Sequence, residues 1–247
     1  MKIVCSIEAR MKSSRLPGKV LEEICGKPVL LHIVERVKRS KKIDQIVIAT
    51  STSQDDDKIV EFCRNHNISF YRGSEEDVLS RLVMCHRFTR TDVVVEITGD
   101  SPFADPEVID ETIEAFISSD ADYVSNTLVR SHPIGIRSQV FSLSLLEECE
   151  RESDNQKDRE HVTTFICRNK SKRYNLRNVL SKKEHMFPKL RLTLDYPEDL
   201  EVTRKIYKNL YPDKPDFSLD DVLKFISENP EIKKINENCK QIYKEGA

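Results

Sequence analysis

The feature that most constrains this chain is an alternation running through its first 120 residues. Short, nearly unbroken apolar runs are separated by longer stretches with apolar residues at helical spacing. Ile3–Ile7, Ile46–Ala49, Ile68–Tyr71 and Val93–Ile97 read as buried strands. Residues 28–39, 54–65, 75–88 and 106–117 read as the helices between and after them. A strand apolar on both faces needs helices on both sides, and successive β-α units lay their strands parallel. The expectation is an α/β fold with a mostly parallel sheet and helices on both faces. Ligands of such sheets bind beyond the carboxyl ends of the strands, so the loops at 8–19 and 98–105 are the first places to look.

Beyond residue 120 the rhythm loosens. Strands are expected at 122–125, 136–141, 174–180 and 190–194, and helices at 143–150, 159–168, from Pro197 onward, and near 218–228 and 230–242. With no internal repeat and no Gly- or Ser-rich linker, the 247 residues read as one domain, 1–247, with a less regular segment at 125–185. The 40 Lys and Arg nearly balance 42 Asp and Glu, which argues against a dedicated nucleic-acid binder. No apolar run approaches the ~20 residues of a membrane span. The seven cysteines are scattered singly with no C-x-x-C pair, as in a reducing compartment. With no apolar leader after Met1, a cytoplasmic protein is expected.

Three segments carry chemistry. Arg10 to Lys19 packs four cations and two serines into ten positions without an acid, and Pro17-Gly18 marks a turn. Placed after the first strand, such a loop wraps phosphates with backbone N–H groups, guanidinium forks and an ammonium; the alternative is a solvated basic loop. It is neither a Walker A loop nor a G-x-G-x-x-G fingerprint. Asp100 follows the fourth strand in Thr98-Gly99-Asp100-Ser101, and Asp195 follows Leu190–Leu194. Each is either a turn or helix-start residue or, with phosphate oxygens, a magnesium ligand.

Glu8-Ala-Arg-Met-Lys-Ser-Ser-Arg-Leu-Pro-Gly-Lys19 resembles the N-terminal signature of the cytidylyltransferases that activate sugar acids. The resemblance is to the spore-coat polysaccharide synthesis (SpsF-like) group, and more distantly to the CMP-Kdo and CMP-acylneuraminate synthetases. It continues in order through Gly26–Leu30, Val47–Thr50, Tyr71–Leu79, Ile97–Pro102, Asp105–Asp110, Asp122–Asn126, Arg159–Thr163 and Leu194–Leu200.

That resemblance implies a Rossmann-like nucleotide-diphospho-sugar transferase fold. It implies transfer of CMP from CTP to a sugar acid with release of pyrophosphate, Mg2+ as cofactor, and a homodimer formed through the irregular segment. It assigns the phosphates to Arg10, Ser13, Arg15 and Lys19, with Arg10, Arg15, Lys19 and Asp100 in catalysis. Asp100 and Asp195 would hold the metal. Arg72, Ser74, Asp77 and Arg81 would lie near the nucleotide, Thr98 near the base or ribose, and Glu160 and His161 at the acceptor. Four positions depart from the family pattern: Glu8 stands where Gln is usual, Lys12 where Gly is usual, and Arg137 and Gln139 where acids are usual. Arg137 and Gln139 are accordingly expected at the acceptor, with Arg137 reading an anionic group. A phosphorylated or phosphonylated acceptor and a nucleotide-sugar-dependent glycosyltransferase remain the alternatives.

Overall fold

The computed structural model describes residues 1–169, 172–183 and 186–241. In chain order, the strands are β1 (Ile3–Glu8), β2 (Glu23–Ile24), β3 (Lys27–Pro28), β4 (Gln45–Ser51), β5 (Phe70–Gly73), β6 (Val93–Thr98), β7 (Tyr123–Ser125), β8 (Gln139–Ser142) and β9 (Leu176–Asn178). The α-helices are α1 (Val29–Val37), α2 (Asp57–Asn65), α3 (Val78–Phe88), α4 (Pro106–Ile117), α5 (Leu143–Glu152), α6 (Gln156–Glu160), α7 (Thr164–Arg168), α8 (Pro197–Leu210) and α9 (Leu219–Glu228). Among the described residues, seven strands form one sheet in the order β5-β4-β1-β6-β8-β7-β9, and β2 pairs with β3 in a small hairpin. No described helix is long and apolar enough to cross a membrane.

The expected mostly parallel α/β sheet is present. β1 lies between β4 and β6 and runs parallel to both. Its side chains alternate: Ile3, Cys5 and Ile7 enter the core layer shared with α1, α4, α8 and α9, while Val4 enters the layer under α3 and α5. β6 divides the same way, with Val93, Val95 and Ile97 on one side and Val94 on the other. Ser6, Glu8, Glu96 and Thr98 therefore share the α3 side of the sheet. The chain winds outward from β1 to β5 and returns to β6, which puts the switch point between β1 and β6 and opens a crevice at Glu8 and Thr98. β8 enters antiparallel against β6, with Glu96 opposite Gln139.

Several expected elements differ. Residues 190–194 form no strand; only a parallel bridge joins Arg191 to Ile134. Their backbone groups are divided between two partners, since Leu192 N–H donates to Ile134 C=O at 2.7 Å and Leu194 N–H to Asp100 C=O at 2.9 Å. The expected helix at 159–168 is two short helices broken at His161–Thr163. Thr163 Oγ1 donates to Gln139 Oε1 at 2.8 Å, which pulls the break toward β8. The helix expected from residue 75 starts at Val78, because the Asp77 carboxylate caps it by accepting from Ser80 N–H at 2.9 Å. At 230–241 there is only a 3-10 turn, Ile232–Lys234, and residue 242 lies outside the described residues.

Candidate active site

The basic loop folds on itself before it reaches the site. Gly18, at φ +74°, sits in the left-handed region, and its N–H donates to Met11 C=O at 2.9 Å. Met11 N–H donates to Asp56 Oδ1 at 2.7 Å, tying the loop to the start of α2. Loop 98–101 approaches from β6, where Gly99 N–H donates to Glu8 C=O at 2.8 Å. A Cβ on Gly99 would lie 2.7 Å from that oxygen, so only glycine lets the two loops meet.

Lys19 is the centre of the arrangement. Its ammonium donates to Leu194 C=O at 2.7 Å, to Asp195 Oδ1 at 3.0 Å and to Asp100 Oδ2 at 3.3 Å. Asp100 and Asp195 thus converge on one nitrogen although 95 positions separate them in the chain. The backbone explains how: Leu194 N–H and Thr193 Oγ1 both donate to Asp100 C=O, at 2.9 and 3.1 Å. Thr98 Oγ1 donates to Asp100 Oδ1 at 2.5 Å and orients that carboxylate. Burial works to raise the Asp100 pKa, but Lys19 and the Thr98 hydroxyl outweigh it and hold the group below its usual range. Burial likewise opposes the Lys19 charge, and the two carboxylates outweigh it in turn.

Asp195 carries three cations. Arg15 reaches Oδ1 at 2.8 Å with its guanidinium over the Tyr196 ring, Lys19 shares that oxygen, and Arg191 meets Oδ2 at 3.2 Å. Arg191 also grips Asp199 with two nitrogens, at 2.8 and 2.9 Å, and both side chains are buried. Sequence reasoning missed Arg191, although an arginine inside Leu190-Arg191-Leu192 signals a buried charge in need of partners.

A cavity of about 280 Å3 opens from these aspartates toward the α3 side of the sheet. Arg15, Thr98, Asp100 and Asp195 line it together with Glu8, Glu96, Arg137, Glu160 and His161. Arg10 is exposed, and neither it nor Ser13 lines the cavity. Ser13 Oγ accepts from Leu16 N–H at 3.5 Å within the loop. Lys12 turns outward to Glu75 at 2.9 Å.

The structure does not bring residues 72–81 to the cavity. Arg72 donates to the Ser51 and Ser53 carbonyls at 2.9 and 2.8 Å and pairs with Asp57 at 2.7 Å. Ser74 Oγ accepts from Asp77 N–H at 3.0 Å, and Asp77 pairs with Arg159 at 2.6 Å besides capping α3. Arg81 is buried and donates to Ser74 C=O at 2.7 Å. Gln139 does not line the cavity either. It is buried, with Oε1 accepting from Thr163 and from Tyr123, because β8 places it inside the sheet opposite Glu96.

Two converging carboxylates fit a divalent cation that completes its shell with phosphate oxygens and water. Among the described residues no group of three or more His, Cys, Asp or Glu side chains forms a ready-made cage. An ion at Asp100 and Asp195 would therefore depend on a phosphate-bearing ligand.

Comparison with known proteins identifies the family. The cytidylyltransferase family profile matches residues 4–218. The spore coat polysaccharide biosynthesis protein SpsF of Bacillus subtilis is 35% identical over 93% of this chain and 95% of its own. A 3-deoxy-manno-octulosonate cytidylyltransferase of Geobacter metallireducens is 33% identical over 52% of this chain and 49% of its own. A solved cytidylyltransferase structure from Leptospira borgpetersenii superposes with a TM-score of 0.89 at 28% identity, covering 99% of this chain and all of that one.

Proposed function

The chain belongs to the cytidylyltransferase family and is a CTP-dependent nucleotidyltransferase, and from that premise we propose that it transfers CMP to a sugar acid hydroxyl with Mg2+ at Asp100 and Asp195. The observation that carries the proposal is the convergence of Arg15, Lys19, Asp100 and Asp195 at the carboxyl ends of β1 and β6. The family assignment removes the glycosyltransferase alternative.

Arg15 and Lys19 of the loop pair with the two aspartates. A nucleoside triphosphate offers Arg15 and Lys19 phosphate oxygens instead, with Arg10 at the outer end of the loop, and releases the carboxylates for a metal ion. Mg2+ held by Asp100 and Asp195 would supply positive charge against the α-phosphate. The acceptor hydroxyl oxygen then attacks the α-phosphorus in line, its proton passing to water. The bond to the bridging oxygen breaks, and pyrophosphate leaves with that electron pair against Arg15 and Lys19. Thr98 keeps Asp100 oriented, while Arg191 and Asp199 keep Asp195 in place.

The acceptor class is read from the cavity beyond the aspartates, which is polar and large enough for a single sugar-sized ring and its substituents. Pyrophosphate release measured with each of the four common nucleoside triphosphates against a panel of sugar acids, with and without Mg2+, tests the proposal. Release confined to CTP plus a sugar acid plus Mg2+ is expected. Release with phosphorylated sugars alone would overturn the acceptor class, and undiminished release in chelator would overturn the metal.

A further inference from the structure

The family profile stops at residue 218, yet the chain beyond α9 returns to the cavity. Side-chain bonds hold residues 236–241 there. Asn236 Nδ2 donates to Arg191 C=O at 3.2 Å and to Asp199 Oδ1 at 2.8 Å, and Tyr196 Oη donates to Lys240 C=O at 3.3 Å. Arg191 Nη1 donates to Gln241 Oε1 at 2.5 Å. Gln241 lines the same cavity as Arg15, Asp100 and Asp195.

The chemistry of Arg191 fixes how the Gln241 amide is turned. A guanidinium only donates, so the amide oxygen faces it and the nitrogen is turned away. Among the described residues no acceptor engages that nitrogen. With its oxygen taken, Gln241 offers two N–H donors and no acceptor. A carboxylate only accepts, whereas a hydroxyl does both. Arg191 also meets Asp195 Oδ2 at 3.2 Å, so one guanidinium separates Gln241 from the aspartates. Arg15 and Lys19 are already committed there, to the aspartates and, in the proposed reaction, to the phosphates. A neutral donor orients an anion at this place without adding a further cation that Asp195 would capture.

Resting on the sugar-acid reading above, we infer that Gln241 is a specificity-determining residue for the acceptor: its amide N–H groups, aimed by Arg191, donate to the acceptor's carboxylate. The contact comes from a segment that the family profile does not span, and it places the acid group beside Asp195, close to the attacking hydroxyl.

The test uses 3-deoxy-manno-octulosonate and its methyl ester, titrated calorimetrically into enzyme loaded with CTP in chelator, so that no turnover intervenes. Gln241→Glu keeps an oxygen for Arg191 but replaces the donors by a negative charge facing the carboxylate. It is expected to weaken the acid about tenfold or more, the size of a lost charge-assisted hydrogen bond. The ester should change less than about threefold on the same scale, and CTP affinity and the thermal midpoint should stay near wild type. Gln241→Met leaves Arg191 without that acceptor and is expected to lower the midpoint as well as the affinity for the acid. A purely structural Gln241 gives the opposite order: glutamate, which serves Arg191, would leave acid binding intact, and only methionine would matter. Acid affinity unchanged in Gln241→Glu, an equal loss for acid and ester, or no binding of the acid by wild type overturns the inference. Binding of the acid by wild type that Gln241→Glu abolishes, without pyrophosphate release once Mg2+ replaces the chelator, would instead overturn the proposed reaction and leave the carboxylate contact standing.

Discussion

Replacing Lys19 by methionine keeps the stem and removes the ammonium that Asp100, Asp195 and Leu194 C=O share. Removing one partner of a buried ion pair costs about 3–5 kcal/mol. Here the cost is lower, because Arg15 and Arg191 still hold Asp195 and the Asp100 side chain is 29% exposed. A loss of about 2–3 kcal/mol is expected, which for a chain of this size lowers the melting midpoint by about 5–10 °C. The loss has a pH signature. Lys19 helps hold the Asp100 pKa below its usual value, so the stability this provides is present above that usual value and disappears as pH falls through the lowered one. Wild type and Lys19→Met should therefore differ most near neutral pH and converge in acid. Turnover with CTP should fall about ten- to a hundredfold from the lost phosphate contact. Scanning calorimetry at two pH values checks the midpoint and its pH dependence, pyrophosphate release checks turnover, and an unchanged midpoint would refute the shared-cation account.

Gly99→Ala places a Cβ 2.7 Å from Glu8 C=O and should cost about 1–3 kcal/mol while lowering turnover, read by urea unfolding and pyrophosphate release. Arg191→Met leaves Asp199 buried without its counter-charge; a loss of about 3–5 kcal/mol in urea is expected, larger than for any single contact of Arg15. Folded Glu8 keeps its proton up to about 8, whereas an unfolded glutamate loses it near ~4.3, so stability should fall as pH rises across that window, by up to about 1.4 kcal/mol per unit. Glu8→Gln should flatten that slope in urea titrations at pH values inside the window.

What was legible in the sequence follows from where the information resides. β1, β4 and β6 are apolar on both faces, so their burial is written in consecutive residues and needs no knowledge of neighbours. The alternation Leu190-Arg191-Leu192-Thr193-Leu194 has the same look, but its backbone groups serve Ile134 and Asp100 in turn and never meet one continuous strand. Residues 230–241 have helical spacing in part, yet Asn236 donates to Arg191 C=O and Asp199 Oδ1, at 3.2 and 2.8 Å. Those tertiary bonds hold the segment irregular around the buried Arg191 cluster.

The site divides along the same line. That the loops after β1 and β6 carry it follows from the parallel order of the strands, which the apolar runs imply. That Asp195 joins Asp100 depends on Leu194 and Thr193 bonding to Asp100 C=O, a long-range pairing with no local mark. Glu96 stands as an acid inside the apolar run Val93–Ile97, and what it faces is decided outside that run. β8 inserts antiparallel beside β6, and Arg137, two residues before its start, lines the same cavity as Glu96 and Glu8. Alone, an arginine in this place reads as a receptor for anions. Beside Glu96 and Glu8, the same arginine already has negative partners inside the protein. The sign of a charge is visible in a sequence; whether it remains uncompensated depends on which strand lies next to it.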